Sequence, residues 1–173
     1  LANTGATTFT FGPITYKDRL TGDDNTNPQP SFVGKKISST FFYNNRFGVL
    51  SEDNVILGVA NDNYNFFSKS ALTQVASDPI DLNVSSVRPV TLFEVLPSHQ
   101  GLLLFSERQQ FQLYATDAGV LTPTTAVIRS LSNYEMATNV NPVDIGTTMA
   151  FVSRVPGYSK LFTMALRDVE QTP

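Results

Sequence analysis

The stretch FGVLSEDNVILGVA (47–60) decides the fold class, because it places two short apolar runs on either side of a polar turn. The same shape returns as LLLFSERQQFQLYA (102–115), and more loosely as MAFVSRVPGYSKLFTMA (149–165). The matching serines, Ser51, Ser106 and Ser153, recur at intervals of roughly 50 residues, which is near the length of a propeller blade. The repeat therefore predicts a succession of antiparallel β-meanders.

The rest of the chain carries the same signature. Aromatic and β-branched residues cluster in short runs between Asn, Asp, Gly, Ser and Pro, and no long segment has apolar residues at helical spacing. We predict an all-β fold of β-propeller-like antiparallel meanders, with about three blade-like units that form part of a larger propeller. Strands are predicted at residues 7–11, 40–43, 47–51, 55–60, 80–84, 90–96, 101–106, 110–115, 124–130, 145–153 and 160–167, with a hairpin turn at Asn44-Asn45 and an irregular or short helical segment at 61–70.

The length and composition predict one domain. A chain of 173 residues with 41% hydrophobic content can build one sizeable core. Within 1–173, we expect an N-terminal strand and loop at 1–36 and the blade-like repeats at 37–173. The sequence lacks an initiating Met and a signal pattern, which predicts a fragment of a longer protein. No window approaches the roughly 18 apolar residues of a membrane helix, so we expect no membrane insertion by this segment.

The charge balance disfavours tight nucleic-acid binding. The formal net charge is −3, and Lys35-Lys36 is the only adjacent basic pair. Tight binding to DNA relies on clustered Lys and Arg that displace phosphate counterions. Cysteine is absent, so disulfides and thiolate chemistry are excluded.

Catalytic and metal-binding patterns are weak. The single histidine, His99, lies in a Pro-Ser-His-Gln-Gly turn without an indicated carboxylate partner, and zinc would need more ligands. Glycan hydrolysis needs only two carboxylates, so that alternative stays open. The candidate carboxylate pairs are Asp78 with Asp81, Asp23 with Asp24, and Glu52 with Asp53. Neighbouring carboxylates of this kind are more typical of solvated turns than of catalytic sites. The oxygen-rich segments 23–25 and 61–63 lack EF-hand spacing. We expect no catalytic residue, no cofactor and no metal, and therefore no enzyme.

An ordered series of short motifs lies between residues 19 and 81. It runs from Asn-Pro and Pro-Ser-Phe-Val-Gly through Asn-Arg-x-Gly and Asn-Phe-Phe to Asp-Pro-Ile-Asp. In this series the chain resembles the tail nozzle proteins, or tail tubular proteins B, of short-tailed, podovirus-type bacteriophages. Asn44 and Gly58 depart from it, because a basic residue and a small hydroxyl residue are common there in the family. The motif residues are Asn27, Pro28, Pro30, Ser31, Phe32, Val33, Gly34, Asn45, Arg46, Gly48, Asn65, Phe66, Asp78, Pro79 and Asp81.

The resemblance implies a virion structural protein of the phage tail. Family members form a ring, usually of six copies, at the distal end of a short tail, and their lumen conducts DNA without sequence-specific binding. The implied partners are copies of the same protein and other tail proteins, and the implied fold is β-propeller-like. The alternative is a carbohydrate-binding or glycan-degrading virion domain, in which Tyr64, Phe66 and Phe67 stack on host sugars instead of filling a core.

The motif residues have expected physical roles. Pro28 and Pro30 are expected to keep the chain extended into Phe32 and Val33, and Gly34 to allow a turn. Arg46 follows a hairpin turn and is expected to pair in a bidentate manner with the carboxylate of Asp78 or Asp81, or else to face solvent. For Asp78 and Asp81 we expect an Asx-type turn around Pro79.

Overall fold

The computed structural model describes residues 2–3, 8–10, 12–116, 120–146 and 148–165, and these residues form an all-β protein. A two-stranded pair, β1 (Ala2–Asn3) and β2 (Phe9–Thr10), precedes three meander sheets. The described ranges contain no helix that could cross a membrane. The all-β class that the sequence predicts is therefore confirmed.

The first sheet is a four-stranded antiparallel meander in chain order. Its strands are β3 (Ile37–Tyr43), β4 (Arg46–Ser51), β5 (Asn54–Leu57) and β6 (Ile80–Asn83). The predicted hairpin turn joins β3 to β4, with φ of 48° at Asn44 and 57° at Asn45. Asn tolerates this left-handed backbone, and two such residues match the right-handed twist of the strands.

The second and third sheets repeat this arrangement. The second has β7 (Leu92–Ser98), β8 (Gly101–Ser106), β9 (Gln110–Ala115) and β10 (Ala126–Ser132) in chain order. The third has three strands, β11 (Val143–Asp144), β12 (Met149–Val155) and β13 (Tyr158–Met164). Three antiparallel meanders thus follow one another along the chain.

The sheets pack face to face through alternate side chains. Leu102 and Leu104 of β8 belong to a core shared with the first sheet, whereas Leu103 and Phe105 of the same strand pack towards the third. Successive strand residues point to opposite faces, so a strand between two sheets must be apolar at every position. All six residues of β8 are buried, which explains the unbroken apolar run GLLLF.

The internal repeat has a structural counterpart. Ser51, Ser106 and Ser153 are all buried and lie in the second strand of their sheets. The carbonyl after each of the first two serines accepts a hydrogen bond from the chain that enters the next sheet: Leu92 N donates to Glu52 O, and Met136 N donates to Glu107 O, both at 2.7 Å. The same junction therefore joins the first sheet to the second and the second to the third.

The third unit differs in register by two residues. Ser51 pairs with Asn54 at the end of its hairpin, but Ser153 pairs with Lys160, and the third hairpin closes at Val155 and Tyr158. A shift of two residues keeps the serine on the same face of the sheet, because side chains alternate with a period of two. This difference explains why the third copy is the loosest match in sequence.

Most predicted strands are observed, with shifted ends. The strand predicted at 145–153 is observed only from Met149 onwards, where β12 begins, because Ile145 N donates to Thr148 O ahead of it. The strand at 55–60 ends at Leu57, because Val59 N donates to Asn65 O and leaves the sheet. Residues 61–70 contain turns and no helix. Residues 7, 11 and 166–167 of the outermost predicted strands lie outside the described residues. Closure into a propeller stays a prediction.

Candidate functional site

A cap formed by residues 12–34 and 58–79 lies on the outer face of the first sheet, the face turned away from the second sheet. Val49 of β4 and Ile56 of β5 project from this face and are buried against Phe66. Phe32 and Phe47 pack against the same cluster. An apolar sheet face must be covered, and here loop segments cover it.

Phe66 is the centre of the cap. Its ring centroid lies 5.0 Å from that of Phe32, 5.9 Å from that of Tyr16 and 6.1 Å from that of Phe47. The rings of Phe32 and Phe47 meet Phe66 edge to face, and such contacts at these distances add to the burial energy of the rings. Phe66 is 7% exposed, so it fills a core and cannot stack on a sugar, whereas Tyr64 is 49% exposed.

Arg46 fastens the cap to β4 through backbone carbonyls. Arg46 is 2% exposed, and its guanidinium donates to Ala76 O at 2.6 Å, Asp78 O at 2.7 Å and Gly58 O at 2.8 Å. Loop carbonyls without a strand partner need donors, and the five N–H groups of Arg can serve several at once. Burial lowers the pKa of Arg46, while the charge of Asp78 acts to raise it.

The predicted bidentate Arg46–carboxylate pair is therefore wrong, and so is the solvent-exposed alternative. The carboxylate of buried Asp78 instead accepts hydrogen bonds from Val75 N at 2.9 Å and Lys69 N at 3.2 Å. The predicted Asx-type turn around Pro79 is not formed, because these donors lie upstream of Asp78. The residue closes the loop before β6 instead.

Asn27 joins the two cap segments. It is buried, its Nδ2 donates to Ser68 O at 3.1 Å, and its Oδ1 accepts from Ser68 N at 3.1 Å. This reciprocal pair imitates a short piece of β-ladder between loops. A second link between the two segments is an ion pair, in which Lys17 Nζ lies 2.6 Å from Asp62 Oδ2, and this contact lowers the pKa of Asp62.

Asp81 of β6 holds the motif turn that follows Pro30. Its Oδ2 accepts from Ser31 N at 2.8 Å, and its Oδ1 accepts from Asn54 Nδ2 at 3.2 Å. The chain does not stay extended into Phe32 and Val33 as predicted, because a turn starts at Ser31 and Val33 N donates to Pro30 O. Gly34 has φ of 75°, which agrees with the predicted turn role.

The remaining motif residues have local tasks. Asn45 O accepts from Asn61 N at 2.8 Å, and Asn65 Oδ1 accepts from Phe67 N at 3.0 Å. Gly48 is on the inner face, where a Cβ would stand 2.4 Å from the ring of Phe41. Pro28 directly follows Asn27 in the chain, and Pro79 directly follows Asp78. The motif residues other than Gly48 are thus brought together in or beside the cap, although they come from four separate stretches.

Sequence reasoning missed several contacts of the cap. The family motif does not include Tyr16, Lys17 or Asp62. No local sequence signal relates Lys17 to Asp62, its partner 45 residues away. The only available hint was the aromatic content of the segment around Tyr64, which suggested either a core or a sugar platform. Pairings between two loops depend on how each loop is folded, which a sequence pattern does not specify.

The other candidate chemical groups do not form a reactive site in the described residues. Exposed His99 is adjacent to Ser98, but Ser98 Oγ donates to Gly101 O at 2.8 Å within the turn. Asp23 accepts from Asn25 N and Thr26 N, and its hydrogen bonds with Thr26 lower its pKa most. Glu52 lies 3.1 Å from Lys35 Nζ. Across the described ranges, no three His, Cys, Asp or Glu side chains are grouped to hold a metal ion.

Comparison with known proteins gives two matches. A family model described as "Bacteriophage nozzle protein" matches residues 1–173. The chain is also similar to the tail tubular protein gp12 of Escherichia phage T7, with 33% identity over 162 residues. That alignment covers 93% of this chain and 20% of the T7 protein, so the chain spans one fifth of the length of that relative.

Proposed function

Because this chain belongs to the bacteriophage nozzle protein family, we propose that it serves in the virion as part of a structural subunit of the phage tail nozzle. The observation that carries the proposal is the family match over residues 1–173, together with 33% identity to a tail tubular protein. The described residues agree with a structural role, since the motif residues fasten loops and sheets to one another. On this proposal the protein is no enzyme.

The three meanders are proposed to be consecutive blades of a propeller-like body. The support is the shared strand order and the junction hydrogen bond that occurs after both Glu52 and Glu107. The outer face of the third sheet supports it further, because Val143 and Leu161 are exposed there and lie beside Ala150 and Val152 of β12. A repeating unit buries such a face by stacking on another sheet.

The subunit is proposed to form a ring with copies of itself, six by analogy with the family, and to contact other tail proteins. DNA would pass through the lumen of the ring during ejection. The net charge of −3 supports passage rather than retention, because a weakly acidic surface offers few cations to replace phosphate counterions.

Electron microscopy of purified virions and of the full-length protein tests the proposal. We expect the full-length protein among the virion proteins by mass spectrometry, and a ring at the distal end of the tail. Antibody against this chain should label that end of the particle and no other part. A full-length protein that is absent from purified particles, or that remains a monomer and joins no tail, would overturn the proposal.

A further inference from the structure

A groove of about 1240 Å³ lies along the first and second sheets and the two connections that follow them. Its walls come from the turns after β4 and β8 and from the two connections, residues 84–91 and 133–142, that lead from one sheet to the next. No residue of the sequence motifs lines it. Its charged side chains are Lys36, Arg88, Arg108, Glu52, Glu107 and Glu135.

Most of these charged side chains have no ion-pair or hydrogen-bond partner within the described residues. Glu52 pairs with Lys35, but within the described residues the side chains of Arg88, Arg108, Glu107 and Glu135 form no ion pair or hydrogen bond. The same holds for the side chain of Lys36. Exposed charges of both signs, arranged along one groove, match a partner that also carries both signs. The unpaired cations outnumber the unpaired carboxylates, which favours a partner with excess negative charge.

The floor of the groove is held in place by hydrogen bonds. The junction bonds to Glu52 O and Glu107 O cross it, and Ser106 Oγ donates to Gln109 O at 2.7 Å. Ser86 Oγ, from the first connection, lies 2.9 Å from Gln109 Oε1. A surface that is already ordered loses little conformational freedom when a partner binds.

We propose that this groove docks an extended polypeptide segment of another virion protein, with acidic side chains against Arg88 and Arg108 and a basic side chain against Glu107 or Glu135. The proposal rests on the proposed structural function. The volume exceeds the roughly 300–1,000 Å³ of small-molecule pockets. The phosphates of DNA carry negative charge alone and would leave Glu107 and Glu135 without partners, whereas a peptide carries both signs. Phe93, the aromatic side chain of the described lining, is half-buried and presents less ring surface to a sugar than an exposed aromatic residue would.

Photo-crosslinking in intact virions tests the inference. A photoreactive amino acid replaces Val87, which is fully exposed in the groove, in the full-length protein. The matched control replaces Leu72, which is 95% exposed in the cap. We expect crosslinking from position 87, and not from position 72, to an acidic segment of one other virion protein, identified by mass spectrometry. Crosslinking only to DNA, to glycan or to copies of the same protein, or no crosslinking, would overturn the inference.

Charge reversal supplies the second readout. The double variant Arg88→Glu with Arg108→Glu should bind a synthetic peptide of the crosslinked segment about tenfold more weakly than the unchanged full-length protein. The control with the same charge change, Lys69→Glu with Lys160→Glu, lies outside the groove and should bind normally. Equal affinity of all three proteins, or affinity that does not fall with added salt, would contradict the proposed ion pairs. If the full-length protein is in the tail but position 87 gives no product, only this inference fails; if it is absent from the virion, the proposed function fails.

Discussion

The two ends of the stack of sheets are finished in different ways. The outer face of the first sheet is covered by the cap, in which Phe66 is 7% exposed and polar groups are hydrogen-bonded. The outer face of the third sheet presents Leu161, which is 70% exposed, beside Val143. An apolar sheet face can be covered by loops of the same chain or by another sheet, and this protein uses loops at one end and leaves the described part of the other end open.

The largest loss of stability is expected from substitutions of Arg46, which joins the cap to β4. Arg46→Met should lower the free energy of unfolding by about 3–5 kcal/mol, because several buried carbonyls lose their donor. Arg46→Lys should lose less, since one ammonium retains the charge and up to three donors but not the planar fork. Urea unfolding followed by circular dichroism measures both. A loss below about 1 kcal/mol for Arg46→Met would show that water replaces the guanidinium and that the cap is not fastened here.

The aromatic centre of the cap should contribute nearly as much. Phe66→Ala is expected to cost about 3 kcal/mol, because it leaves a cavity between Val49, Ile56 and Phe32. Phe66→Leu is the matched variant and should recover more than half of the loss. If Phe66→Ala unfolds at the same urea concentration as the unchanged protein, the outer face of the first sheet is not a core in solution.

The joint between the two cap segments should have a smaller effect. Asn27→Ala removes both hydrogen bonds to Ser68, and we expect a loss of about 1–3 kcal/mol. Asn139→Ala, at an exposed position, is the control and should stay within about 0.5 kcal/mol. Hydrogen exchange should show faster opening of the amide of Ser68 in the first variant alone. Unchanged protection at that amide would contradict the role of Asn27.

The ion pair of Lys17 and Asp62 should make the cap weakly acid-sensitive. The folded-state pKa of Asp62 is lowered by Lys17, so its stabilising effect is present above the unfolded pKa of about 4 and is lost as the pH falls through the folded value. The pair is largely exposed, so we expect at most about 1 kcal/mol. Asp62→Asn should remove this part of the difference between unfolding at pH 6 and at pH 2.5. Identical pH profiles for both proteins would exclude the pair as a contributor.

The smallest loss of stability is expected from a substitution on the exposed outer face of the third sheet. Leu161→Ala in this chain should change stability by less than about 0.5 kcal/mol, because the side chain is already in contact with water. In the full-length protein the same change should cost about 2 kcal/mol or more if another sheet covers this face. Urea unfolding of the two lengths side by side gives the comparison. If Leu161→Ala lowers stability by the same small amount in both proteins, the outer face of the third sheet stays exposed in the full-length protein as well.

Much of the strand framework was predictable, because alternation is a local property. The strands predicted at 101–106 and 110–115 are observed as β8 and β9, since a short apolar stretch between polar turns is typical of a buried strand. The Asn44-Asn45 turn followed from residues that tolerate positive φ. The strand predicted from Ile145 overlooked Gly146, a turn residue, which has φ of 97°, and β12 begins only at Met149.

The motif residues of the candidate site could be named from the sequence, but the contacts that they make could not. The motif residues other than Gly48 lie in or beside the cap, yet Arg46 binds carbonyls instead of a carboxylate, and Asp78 binds amides before the turn instead of after it. Every residue has a carbonyl and nearly every residue an amide, so a sequence does not mark which of them will be left without a strand partner. That depends on the path of the loop, which long-range packing selects.

The sequence by itself determined the all-β class, the repeat of meanders and the family, because these depend on local periodicity and on the order of short motifs. Only the tertiary structure decided that the motif residues build a cap, that the junction after Glu52 recurs after Glu107, and that the unused charges line one groove. The reason is physical: strand propensity acts between neighbours in the chain, whereas burial and hydrogen-bond partners are set between residues that folding alone brings together.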